Sequence, residues 1–370
     1  MQDLSLAQVS RGARQSILVL LLIGCLLIGS ACSELKGTKR VNGAQHRAVP
    51  VVRISELLKE QGQMQLETFQ QWIALMQRYQ GPSDAYQHEL AGARRALETA
   101  RSDGAYQVAL QTLTGQVRGI KIPALKAEVT SLHRWLAQQV TAWEQSHTYH
   151  DTYNGTTYGL GYEYGSNGVE GIIQDELASA KTPSDYQQAI EDVNMFLQNF
   201  QAYKANAEDK TPWNQVHQTD LQLLHSYRLL EQKVVVISLS EQALRVYNHG
   251  RLVKAFQVTT GRPEKPSLPG AWSVESKQAP TIFKSDEPKG SPYWYPDTPI
   301  NYAMLYHSGG YFLHDSWWRD NYGFGTQFPH VDSSGDSFSF DGSHGCVNIS
   351  TPNAAWLYNF VDVSTRVIIY

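Results

Sequence analysis

Along the chain, apolar residues first crowd into one run, then recur every three or four positions, and finally fall into short alternating or continuous bursts. Each regime predicts a different structure. The run covers residues 17–32, follows Arg11 and Arg14, and has the length of a signal-peptide core rather than of an ordinary spanning helix. It predicts export from the cytoplasm, with two cysteines competing as a lipid-modified terminus. Leu22-Ile-Gly-Cys25 fits a lipoprotein-type cleavage site locally but leaves Leu26 to Gly29 apolar at the new terminus, whereas Gly29-Ser-Ala-Cys32 sits where the run ends. Cys32 is therefore the expected lipid attachment, with an uncleaved anchor as the alternative. Either one holds the protein at the outer face of a membrane.

Residues 33–50 are polar without an apolar period and predict a linker. From about residue 51 to 230 the period becomes helical. Leu57, Leu58, Met64, Leu66, Phe69, Trp72, Ile73, Met76 and Tyr79 make one amphipathic stripe that Gly81-Pro82-Ser83-Asp84 interrupts. Further helices are expected over about 86–101, 105–117, 123–146, 168–180 and 183–207, and the likeness of 100–110 to 180–190 suggests related helical hairpins. Residues 147–168 are dense in Tyr, Gly and Asn and predict a non-helical loop, either packed on its own domain or offering aromatic faces to sugar rings. His147 and His150 lack a third ordered ligand, so no metal site is expected. Beyond residue 230 the bursts are those of strands: 234–239, 243–247 and 252–260, with Asn248-His-Gly250 as a hairpin turn. The fold class expected is α+β: an anchor segment 1–32, a linker 33–50, an all-α helical region 51–230, and a mostly β domain 231–370 whose loops carry the site.

Composition changes little. A hydrophobic fraction of 42% is that of an ordinary globular protein, and a net charge of -4 argues against a nucleic-acid partner. Cysteine usage changes more. Cys346 is the only cysteine beyond the N-terminal run, so it has no intrachain disulfide partner in the mature protein. It is either a buried structural cysteine or a reactive thiol. A nucleophilic thiol needs an imidazole to take its proton, and Ser343-His344-Gly345-Cys346-Val347-Asn348 places one two residues away. Glycine at 345 can aim the amides of Gly345 and Cys346 at a developing oxyanion.

Residues 233–370 resemble the catalytic domain of the L,D-transpeptidases, the YkuD-type family, whose signature is a histidine followed by Ser/Thr-His-Gly-Cys-x-Asn/Arg. Here that signature reads Ser343-His344-Gly345-Cys346-Val347-Asn348. The runs 234–247 and 256–261 resemble the family's opening hairpin and its glycine-ended strand, and 350–358 and 365–370 its short helix and closing strand. Pro266-Ser-Leu-Pro-Gly270 stands where the family usually has Thr-Pro-x-Gly. The resemblance implies acyl transfer on peptidoglycan stem peptides, at the outer face of the bacterial cytoplasmic membrane and facing the wall. Cys346 would attack the carbonyl between the third, diamino residue and D-alanine, and a thioester would pass to an acceptor amine as a 3-3 cross-link. No metal or organic cofactor is implied.

Several histidines compete as the base. His314, in Phe312-Leu-His-Asp315, precedes Ser316-Trp-Trp318-Arg319, which resembles a His-Asp-x-x-Trp-Arg form found in part of the family. His330 lies nearer the cysteine in sequence, within 321–341, which is read as an inserted lid loop. His314 at a strand end is the more rigid choice. His344 helps build the site, and His307 sits in a turn at the rim. Asp315 or its carbonyl would orient His314, Asn348 would support the cysteine loop, and Tyr306, Trp318 and Arg319 would line the pocket. Two other activities use the same features: a carboxypeptidase or hydrolase with water as acceptor, and a wall-binding protein working through its helices. For the helical region a spacer is expected, with substrate presentation second.

Overall fold

The computed structural model describes residues 54–370; the anchor segment 1–32, Cys32 and the linker 33–50 lie outside the described residues. Among the described residues no helix is long and apolar enough to cross a membrane. The first helices are α1 (Glu56–Arg78), α2 (Asp84–Thr99) and α3 (Asp103–Ser146). Helix α3 starts where Ser102 Oγ accepts the Ala105 N–H at 3.2 Å, a side-chain cap on an otherwise orphan donor. It then runs 44 residues through Pro123, where the pattern predicted two helices. Packing on both halves overrides the proline. The buried residues Leu113, Val117, Ile120 and Ala124 join a core with Phe69, Ile73 and Met76 of α1, whereas Leu125, Val129, Leu136 and Val140 join a second core.

After α3 the Tyr-rich segment folds as a hairpin of β1 (Thr148–His150) and β2 (Thr157–Gly159), closed by a 3-10 turn at Tyr162–Tyr164. Helices α4 (Val169–Ser179), α5 (Pro183–Glu208) and α6 (Gln218–Ser226) follow. Helix α5 begins on a full capping box, Thr182 with Asp185, and on Pro183 at its first position. Helix α6 is short and polar and gave no helical signal in the sequence.

The strand-rich part holds two larger sheets. In the first, the order is β5 (Arg251–Gln257), β4 (Ala243–Asn248), β3 (Lys233–Ser238), β13 (Arg366–Ile369), β6 (Gly270–Ser273), with β13 parallel to β3. In the second, the order is β12 (Val347–Ile349), β11 (Tyr311–Asp315), β10 (Ala303–His307), β7 (Ser276–Gln278). A separate hairpin pairs β8 (Thr281–Phe283) with β9 (Thr298–Ile300), and α7 (Thr351–Phe360) lies between β12 and β13 in the chain. Val235, Ile237, Leu313, Val347 and Ile368 share one core with Val193, Phe196 and Phe200 of α5, so apolar packing runs unbroken across position 230.

A buried ionic cluster spans the same boundary. Arg245 on β4 and Asp220 on α6 are both 0% exposed and form a two-pronged ion pair. The hydroxyls of Tyr247 and Tyr370 donate to the Asp220 carboxylate, and Arg245 also donates to Glu241 at 2.6 Å and to the Trp213 carbonyl at 3.1 Å. Removing one partner of such a pair strands the other charge in a dry interior. Asp220→Ala should therefore destabilise the chain by about 3–5 kcal/mol in urea unfolding, while replacing Asp220 and Arg245 together by apolar residues of similar volume should cost less.

Candidate active site

Strand pairing assembles the site. In the parallel pair β11–β12, Leu313 stands opposite Val347, His314 opposite Asn348 and Asp315 opposite Ile349, and Cys346 immediately precedes β12. His314 is 4% exposed. Its Nδ1 lies 2.8 Å from the Asp315 carbonyl, which can only accept, so Nδ1 carries the proton and Nε2 the lone pair. Asn348 Nδ2 donates to that Nε2 at 3.1 Å. Burial pulls the His314 pKa down to about 4, against the carbonyl contact and the Asp315 charge, which favour the imidazolium. The Asp315 carboxylate faces elsewhere. It accepts the N–H groups of Asn301 and Tyr302, both at 2.8 Å, and the Asn301 side chain at 2.7 Å, pinning the link between β9 and β10. Of the two orienting roles expected for Asp315, the geometry supplies the carbonyl.

The loop that carries Cys346 is braced from inside. Gly345 sits at φ +108°, where a side chain is strained and where a Cβ would meet the Tyr311 ring at 3.0 Å. Ser343 Oγ accepts the Gly345 N–H at 3.1 Å and donates to the Cys346 carbonyl. Buried Ser267 Oγ donates to the Gly345 carbonyl at 2.8 Å and accepts the Gly261 N–H at 3.0 Å. The Gly345 amide, expected to face an oxyanion, is thus committed to Ser343. Cys346 is half-buried, with Sγ 3.6 Å from the Gly310 carbonyl oxygen. Burial pushes its pKa up to about 11, opposed by a backbone hydrogen bond from Phe312.

A cavity of about 370 Å³ opens on these groups, lined by His314, Ser343, His344, Cys346 and Asn348 and walled by Phe283, Tyr295, Trp317, Trp318 and Arg262. Trp318 is among its lining residues. Tyr306 does not line it: that ring is 1% exposed, within the core. Arg319 reaches the wall, but its guanidinium donates to the carbonyls of Ser339 at 3.0 Å and Asp341 at 2.7 Å. Burial draws its pKa down to about 10. The His344 ring lies 5.5 Å from that of Tyr295, with Arg262 Nη2 3.4 Å from its Nε2. Burial first, then the charges of Arg262 and Lys265, pull the His344 pKa down to about 4. His330 is not part of the lining and donates from Nδ1 to the Phe328 carbonyl at 2.8 Å; His307 packs edge-on against Trp272 at 4.7 Å. Among the described residues no group of three or more His, Cys, Asp or Glu is placed to hold a metal ion.

The inserted loop 321–341 is tethered. The Asp332 carboxylate accepts the N–H groups of Asp320 at 3.0 Å and Asn321 at 2.9 Å. Fully buried Phe328 stacks between Tyr149 at 4.6 Å and Tyr158 at 4.8 Å. The Tyr-rich hairpin therefore packs on this loop, rather than only within the helical region. Sequence reasoning missed Ser267, Arg262, Phe283, Tyr295 and Trp317. Only Ser267 carried a signal, as the polar residue within Pro266-Ser-Leu-Pro-Gly270.

Residues 232–369 match the family model of the YkuD L,D-transpeptidase catalytic domain. A probable L,D-transpeptidase 3 of Mycobacterium tuberculosis is 31% identical over 112 residues, which are 30% of this chain and 36% of that protein. L,D-transpeptidase 1 of the same organism is 26% identical over 145 residues, 38% of this chain and 52% of the relative. The chain thus spans between about a third and a half of the length of these curated relatives. A crystal structure of an Enterococcus faecium L,D-transpeptidase mutant is similar at 27% identity with a TM-score of 0.32, covering 38% of this chain and 51% of that one.

Because Ser343 Oγ serves a donor and an acceptor of the Cys346 loop at once, Ser343→Ala should lower stability by about 1–3 kcal/mol in urea unfolding. It should also change the rate at which iodoacetamide alkylates Cys346.

Proposed function

From a YkuD-type L,D-transpeptidase catalytic domain at residues 232–369, we propose that this protein is a cysteine acyltransferase that forms 3-3 cross-links between peptidoglycan stem peptides. The observation that carries the reading is the cavity in which His314, with Nε2 as its basic nitrogen, and the half-buried thiol of Cys346 share one wall. Cys346 Sγ attacks the carbonyl carbon between the third, diamino residue and the D-alanine after it, and the thiol proton passes to His314 Nε2 as the Asn348 amide, which donates to that nitrogen at rest, turns aside. The Cys346 amide is the donor left for the oxyanion, since Gly345 N–H is held by Ser343. Collapse breaks the C–N bond, and the imidazolium returns the proton to the leaving D-alanine amine. An acceptor amine then attacks the thioester, gives its proton to His314, and restores the thiol as the new amide forms. The Asp315 carbonyl keeps His314 in the required tautomer, and Asn348 fixes the ring plane. Trp318, with the walls Phe283, Tyr295 and Trp317, would exclude water from the thioester. Residues 1–32, with Cys32 as lipid attachment, would hold the enzyme at the outer face of the cytoplasmic membrane, facing the wall.

The test is intact-mass spectrometry of the chain mixed with a disaccharide-tetrapeptide, with D-alanine and the second product quantified. An adduct that has lost D-alanine is expected, absent in Cys346→Ala and slowed about 100-fold or more in His314→Ala. A cross-linked dimer would identify an amine acceptor and a free tripeptide would identify water. No adduct on folded protein sinks the acyl-transfer reading.

The pH response follows from burial. With the His314 pKa pulled down to about 4, the base stays neutral at ordinary pH, so acylation should be level through the neutral range and fall only in acid, as Nε2 protonates. Alkylation of Cys346 without substrate requires the free thiolate, so it should be slow at neutral pH and keep rising towards about pH 11. A stopped pH series of both reactions checks the divergence, and parallel profiles would contradict it.

A further inference from the structure

The backbone turn 261–267 is gripped by two partners, one of which belongs to the helical region. On the catalytic side, Ser267 Oγ joins the Gly261 N–H to the Gly345 carbonyl, and the Arg262 N–H donates to the Ser343 carbonyl at 3.0 Å. The turn therefore fixes the loop that presents Cys346. From the helical region, the Tyr162 hydroxyl donates to the Gly261 carbonyl at 2.7 Å, and Asn167 Nδ2 donates to the Pro263 carbonyl at 3.2 Å. Gly168, next in the chain, packs against Pro266: a Cβ there would lie 3.3 Å from its ring.

The helical core sets the reach of these two side chains. Gly161, at φ +91°, is wedged so closely among Trp143, Phe200 and Tyr203 that a Cβ would come within 3.3 to 3.6 Å of each. That conformation, open to glycine, turns the chain so that Tyr164 is buried at 1% exposure while the Tyr162 hydroxyl meets Gly261. The Tyr162 ring also lies edge-on to Phe328 at 5.8 Å.

We propose that Tyr162 and Asn167 are positioning residues for the reaction at Cys346, so that the helical region is the back support of the catalytic centre rather than a spacer. Neither side chain lines the cavity that holds Cys346 and His314. They act through Gly261 and Pro263 on the turn, and through Ser267 and Ser343 on the thiol and the Cys346 amide. Shifts of about 1 Å in such groups can cost up to about 100-fold in rate without changing substrate affinity. The inference rests on the acyl-transfer reading above, and its test separates the two.

The test uses the full chain with Tyr162→Phe, Asn167→Ala and the pair. Tyr162→Phe keeps the ring beside Phe328 and deletes only the hydroxyl. With a disaccharide-tetrapeptide as donor, kcat and KM are measured separately, beside titration of the reactive thiol and thermal unfolding. The pair should lower kcat about 10-fold or more and leave KM within about twofold, with a full thiol titre and an unfolding midpoint close to the parent's. Unchanged kcat in the pair, with an active parent, overturns the positioning role and leaves the acyl-transfer reading standing. A loss matched by a fall in folded fraction or thiol titre also overturns it, because the contacts would then be structural only. A parent chain that forms no acyl-enzyme refutes the acyl-transfer reading, and the positioning role falls with it.

Discussion

The site depends on the parallel pairing of β11 with β12. A parallel pair cannot close through a tight hairpin, so a long connection must carry the chain from Asp315 back to Cys346. Register, not loop length, then decides what meets. His314 faces Asn348 across the ladder, and Cys346 enters at the start of β12, however many residues intervene. This is why the loop 321–341 can be long enough to carry its own histidine, a buried phenylalanine and a 3-10 turn at Ser337–Ser339 without disturbing the imidazole. The same logic settles the place of His330, which is nearer to the cysteine in sequence but turns its Nδ1 onto the Phe328 carbonyl, away from the cavity.

Much of this was legible before the fold was known, because the signals were local. Apolar period gave α1, α2 and α5, the turn Asn248-His-Gly250 gave the β4–β5 hairpin, and Ser-His-Gly-Cys with an upstream histidine named residues that share the cavity. What stayed hidden is set by distant contacts. Pro123 reads as a break, yet α3 continues because separate cores grip the helix on either side of it. Helix α6 is too short and polar to announce itself, and it exists to present Asp220 to Arg245. Tyr306 looks like a pocket residue from its neighbours in sequence but is core, and Arg319, although it reaches the cavity wall, spends its guanidinium on two loop carbonyls. Phe283 and Tyr295 enter the wall from around the β8–β9 hairpin, which no spacing in the chain connects to the cysteine.

The buried Arg245–Asp220 pair explains why the helical and strand-rich parts share so much. An ion pair at zero exposure must have every prong answered, and here the answers come from α6, β4, the stretch around Trp213 and the Tyr370 hydroxyl. Separating the two parts would strand a guanidinium or a carboxylate, and it would also split the apolar core that runs from Leu125 to Tyr370. The strands that lead into Val258, Thr260 and the 261–267 turn are thus built on a surface that already includes α5 and α6.

Burial acts on the thiol and on the imidazole in opposite directions, and the two effects together constrain the chemistry. With Cys346 pushed up to about 11 and His314 pulled down to about 4, the resting pair is neutral, thiol beside imidazole, rather than thiolate beside imidazolium. A free transfer of the proton before attack would run steeply uphill. In the proposed acyl transfer the proton would then move as the S–C bond forms, when negative charge passes from sulfur to the carbonyl oxygen and the imidazolium has a partner to stabilise. Asn348 suits such a cycle. Its amide now donates to the basic nitrogen, and a turn of the same amide offers a carbonyl to the protonated ring. A neutral thiol is also the form least open to oxidation. In the proposed reaction, restraint at rest and activation on substrate binding would have one cause, the low-dielectric wall that the second sheet, the inserted loop and the aromatic residues build around a single sulfur atom.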